Sequence, residues 1–221
     1  MQAAALRRWT ARIGCGGALI LAAVVHAPAA LAFPHRAEFG STTVLSEQPI
    51  DRAAMGRVLA RADHLLAASP LDRPGLSRQV VLTDGGWRWD VLSIGARGAI
   101  AFRRPFSHAL VFNHSAVAAD RVTNCAPLGG VRTLSGTIAH EMTHRLVADH
   151  IGEWAALRLP AWKREGYPDY VAQETSIRPQ DEALIRQRDP KARVLTYYDG
   201  RRRVAAELAR NGGSVDALLR D

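Results

Sequence analysis

The stretch His140-Glu141-Met142-Thr143-His144 constrains this chain more than any other. Its surroundings predict a helix that Thr133 or Ser135 can cap and that continues to about Ala148, with Leu134, Ile138 and Leu146 toward the core. Four residues make slightly more than one helical turn, so the two histidines stack on one face and can hold one metal ion together. Glu141 follows the first histidine and points to the neighbouring side of that ion. There it can take a proton from a metal-bound water. The plain alternative is a surface helix with two solvated histidines.

Two histidines and a water leave a catalytic zinc one protein ligand short. Two residues qualify. His150 lies six residues beyond His144, the spacing of the pattern HExxHxxGxxH. Val147 stands where that pattern needs a glycine, and a β-branched residue resists the backbone conformation required there. No methionine follows Met142 to build a turn beneath the metal. Otherwise His150 reads as a helix C-terminal histidine facing the macrodipole. The other candidate is Glu165, which a second helix starting near Pro160 can lay beside the imidazoles. Asp169, on the same segment, is a minor alternative ligand.

Trp162-Lys163-Arg164-Glu165-Gly166, followed by Tyr167 and Tyr170, resembles the third-ligand motif of the gluzincin metallopeptidases. Glu165 is 21 residues after His144, close to that family's usual spacing. The resemblance covers Thr133 to Val171 and continues weakly into the C-terminal helix. Pro168 departs from it, standing where the family often has alanine, and is expected to bend the helix. The resemblance implies a zincin-like fold, a Zn2+ ion on His140, His144 and Glu165, and Glu141 as general base. It also implies an oxyanion donor from a later helix, for which Tyr198 is preferred to Tyr197. The substrate would be a peptide or protein, received as an added strand by a sheet edge, with Ala109 to Asn113 the expected edge. Asp169, Asn113 and Glu174 are candidates to orient the imidazoles. Two other readings stay open: a zinc-holding but inactive domain that binds envelope partners, and a zinc hydrolase acting on a non-peptide amide.

The N-terminus has its own logic. Arg7, Arg8 and Arg12 precede an uncharged, mostly apolar run from Ile13 to Val25, and Ala30-Leu31-Ala32 offers small residues at the cleavage positions. This is the layout of a secretory signal peptide over residues 1–32, exporting the domain of residues 33–221. An uncleaved membrane anchor is the alternative, but His26 and Pro28 stop the run short of the roughly 20 residues a bilayer needs. The net charge of +8 falls to +5 without that segment's three arginines. No aromatics interleave a basic stripe, so no nucleic-acid partner is expected. Cys125 alone remains, which excludes an internal disulfide, and it reads as a small buried residue, with a thiol near the metal as the alternative.

Asp51 to Ala68 reads as an amphipathic helix after an extended lead-in from Phe33 to Pro49. Strands are expected at Gln79–Leu82, Trp87–Ile94, Ala99–Arg103 and Ala109–Phe112. After the central helix come helices from Leu159 to Glu174, Pro179 to Arg188 and Tyr198 to Arg210. This order of helix, small sheet and helices is an α+β domain.

Overall fold

The computed structural model describes residues 28–220. Most of the expected export segment, residues 1–32, lies outside them. Among the described residues no helix is long and apolar enough to cross a membrane.

A hairpin opens the sheet. β1 (His35–Phe39) turns through Gly40, at φ 55°, into β2 (Thr42–Ser46). β3 (Arg78–Leu82) lies parallel to β2. Beyond it come β4 (Ala101–Arg103) and β5 (Ala109–Phe112) in the sheet order β1-β2-β3-β5-β4, with β5 parallel to β3 and β4 antiparallel to β5. The expected extended lead-in is therefore two strands of this mixed sheet.

Helix α1 (Arg52–Leu66) crosses from β2 to β3, and the Asp51 carboxylate caps it by accepting from the Ala54 N–H. Its stripe of Met55, Val58, Leu59, Ala62 and Leu66 packs with Val44, Val80, Leu82, Leu110 and Phe112 from one sheet face. The same cluster takes Leu134, Ile138, Met142 and Leu146 from α3 (Leu134–Ile151). The other sheet face presents Leu45, Val81, Ala109 and Val111 to Trp89 and Leu92 of α2 (Trp87–Leu92).

Helix α2 corrects the strand expected over Trp87–Ile94. The alternation of Trp87, Trp89 and Val91 imitates a strand. The burial instead follows Trp89 and Leu92, three residues apart on one helical face, while Trp87 is exposed. A second correction concerns β5, which lies between β3 and β4 and is buried throughout. Its unbroken run Ala-Leu-Val-Phe is the pattern of a strand covered on both faces, so it cannot be the expected receiving edge. The free edges of this sheet are β1 and β4.

A small antiparallel sheet of β6 (His114–Ala116), β7 (Arg121–Thr123) and β8 (Val131–Thr133) leads directly into α3. Thr133 caps that helix by accepting from Gly136 N–H at 3.0 Å. The Asp120 carboxylate accepts from the Ser135 N–H and hydroxyl, both at 2.7 Å. Glu174 accepts from the Thr133 N–H at 2.7 Å and from its hydroxyl. Two carboxylates thus sit where the N–H groups of α3 lack helical partners and where the dipole favours negative charge.

After α3 come α4 (Glu153–Arg158), α5 (Ala161–Val171), α6 (Glu182–Arg188), α7 (Arg193–Arg210) and α8 (Val215–Arg220). Pro168 lies inside α5 without ending it; having no N–H, it leaves the Arg164 carbonyl without its usual helical donor. Helices α5 and α7 touch backbone to backbone at Gly166 and Gly200. A Cβ on Gly166 would lie 2.4 Å from the Gly200 carbonyl carbon. This contact fixes the position of Glu165 relative to the first turns of α7. Gly166→Ala is therefore expected to cost about 1–3 kcal/mol in denaturant unfolding and to weaken metal binding as the helices separate.

Cys125 is exposed, with φ 60°, rather than buried as expected. It occupies the loop between β7 and β8.

Candidate metal centre

Helix α3 is buried along most of its length, and its site residues include His140 at 3% and Glu141 at 6% exposure. Helix α5 crosses beside it. The Nε2 atoms of His140 and His144 lie 3.1 Å apart. Glu165 Oε2 is 3.8 Å from the first and 3.5 Å from the second. One ligand atom from each residue thus falls within 4.8 Å of the others. A tetrahedral zinc with bonds of about 2.0–2.1 Å sets its ligand atoms roughly 3.3 Å apart, so the residues present fit the ion. The cluster of His140, Glu141, His144 and Glu165 is consistent with a zincin-like HExxH-plus-glutamate metal site.

The electrostatics agree with that geometry. Burial alone would raise the Glu165 carboxyl, but the two imidazoles and Arg164 outweigh it and hold it far below the usual range. Burial would depress His144, yet the Glu165 carboxylate beside it drives it upward. Anionic and imidazole donors converging on one point can hold a cation at their centre.

The remaining candidates separate cleanly. Asp169 is fully buried, and its Oδ1 takes the Nδ1 side of His140 at 2.7 Å. It therefore orients the ring through the nitrogen facing away from the cluster, rather than joining Glu165 as a ligand. Arg132, itself buried, pairs with the same oxygen at 2.8 Å. Burial opposes the Asp169 charge, but Arg132 and His140 together keep its carboxyl below the ordinary value. Glu174 serves the cap of α3, and Asn113 bonds the Ala99 carbonyl and the His114 N–H. His150, at the exposed end of α3, bonds Asp216 at 2.6 Å and is not part of the cluster.

Helix α7 begins at Arg193, five residues before the expected start at Tyr198, and this changes which tyrosine faces the site. Tyr197 borders the cavity, its ring centroid 6.1 Å from that of His140. Tyr198 turns to Glu182 and lies beneath the Arg202 guanidinium. Of the two tyrosines, it is Tyr197 and not the expected Tyr198 that borders the cavity. The signal was available: Tyr197 lies seven residues before the buried Val204, on the stripe that continues to Leu208. Burial, reinforced by the Glu165 charge, pushes the Tyr197 phenol well above its ordinary value, so it keeps its proton.

These residues open on a cavity of about 330 Å³ bordered by Glu141, both histidines, Glu165 and the edge strand β4. Arg103 of β4 pairs with Glu153 of α4, whose other oxygen accepts from the Phe106 N–H, so strand and helix form one wall. Glu141 takes no hydrogen bond from a described side chain and faces this cavity. Comparisons with family models, curated proteins and solved structures found no match.

Proposed function

We propose that the protein is a zinc-dependent peptidase of the gluzincin kind, with His140, His144 and Glu165 holding the ion and Glu141 as general base. The observation that carries this reading is the convergence of three donor atoms beside a free glutamate in an open cavity. Export through residues 1–32 belongs to the proposal on the strength of the sequence alone.

Zinc bound there supplies a Lewis acid that polarises a carbonyl and makes water more acidic near neutral pH. Glu141 accepts the proton of the attacking water as its oxygen bonds to the carbonyl carbon, then returns it to the leaving amine as the C–N bond breaks. Tyr197, protonated and aimed at the cavity, donates to the developing oxyanion. Asp169 holds the His140 ring in register while Arg132 keeps Asp169 ionised. Strand β4 is the sheet edge at the cavity and offers its free side to an extended peptide.

A peptide library incubated with the zinc-loaded protein tests the reading. Cleavage is expected, and chelation should abolish it. Tyr197→Phe should lower kcat about 10²–10³-fold, the effect of removing one oxyanion donor, while Tyr198→Phe should change it less than about threefold. Intact peptides alongside hydrolysis of non-peptide amides would assign the site to the latter.

A further inference from the structure

We propose that Arg193 recognises a carboxylate on the substrate, supplied by the free C-terminus of a peptide or by an acidic side chain near the scissile bond. The proposal rests on the peptidase reading above. Four arginines border the cavity: Arg103, Arg132, Arg164 and Arg193. Three are already neutralised, Arg103 by Glu153, Arg132 by Asp169 and Arg164 by Glu165. Among the described residues Arg193 has no carboxylate partner. Its Nη2 donates to the Tyr197 hydroxyl at 3.0 Å, and its guanidinium lies 5.8 Å from that ring's centroid. One bond leaves most of the five guanidinium donors free.

The contacts of Arg193 with described side chains are the hydrogen bond and the ring contact to Tyr197. Arg193 is the first residue of α7, where the helix dipole disfavours a cation, and its side chain is exposed. A planar guanidinium with spare donors matches a carboxylate in bidentate geometry. Through Tyr197 it stands next to the metal donors. An extended residue spans roughly 3.5 Å, so the bound carboxylate belongs within one or two residues of the carbonyl under attack.

The test measures binding, not turnover, using zinc-loaded Glu141→Gln protein and four probes. Two are an acetylated tetra-alanine peptide as the free acid and as the amide. The others are amidated peptides carrying one internal Glu or, in its place, Gln. One carboxylate form should bind about tenfold or more tighter than its neutral counterpart, the size of a charged hydrogen-bonded contact. Adding Arg193→Gln should erase that difference, and Arg193→Lys should keep part of it, with zinc content unchanged in both. A gain confined to the free acid identifies the C-terminus as the source, and a gain confined to Glu identifies an acidic side chain. Equal binding of charged and neutral probes would overturn the proposal. So would an equal loss for all four in Arg193→Gln, the behaviour of a residue that only steadies Tyr197. If the zinc-loaded protein binds none of the peptides, the peptidase reading itself falls, and the carboxylate proposal with it.

Discussion

Glu141→Gln is expected to keep zinc and fold while lowering kcat by roughly 10²–10⁴-fold, the contribution of a positioned base. The substitution preserves shape and removes only the ability to accept a proton. Glu141 is not one of the three converging donors, so zinc affinity should hold within about threefold. The amide has the same shape and breaks no hydrogen bond that Glu141 makes with a described side chain, so stability should not fall. Kinetics on a cleaved peptide, with zinc content measured on the same sample, separate the outcomes. Undiminished turnover would remove Glu141 from the chemistry, and lost zinc would mean that it shapes the metal site instead.

Asp169→Ala should produce the largest combined loss of stability and metal binding. The carboxylate has no exposed surface and joins two buried groups, His140 and Arg132. Its removal takes away the one carboxylate in direct contact with the buried Arg132 and leaves it only the Glu174 carbonyl, costing about 3–5 kcal/mol in denaturant unfolding. It also frees the His140 ring, which should weaken zinc about 10–100-fold. A double replacement distinguishes these effects. Arg132→Met with Asp169→Leu removes both charges and should recover most of the stability without recovering the zinc affinity. Recovery of both would show that Asp169 serves the fold alone.

How much of this was legible depended on whether the signal was local. The HExxH spacing and Thr133 located α3 and its histidines, because helical periodicity alone brings them to one face. Glu165 was readable through the motif around it. The Trp87 segment misled because alternate apolar residues also fit a short helix, and only the tertiary contacts of Trp89 and Leu92 decide. For β5, the all-apolar run pointed to an interior strand, but the edge can be assigned only once β4 is placed beyond it. The choice of Tyr197 required the true start of α7. Neither Arg132 nor its pairing with Asp169 carried a local signal, since the partners come from β8 and α5 and meet only in the folded chain.

Zinc titration of the purified protein, compared across four alanine variants, tests the central claim most directly. About one zinc per chain is expected, with His140→Ala, His144→Ala and Glu165→Ala each weakening it by at least about 100-fold and His150→Ala leaving it unchanged. A protein that binds no zinc, or one that loses it with His150 and keeps it without Glu165, would contradict the account.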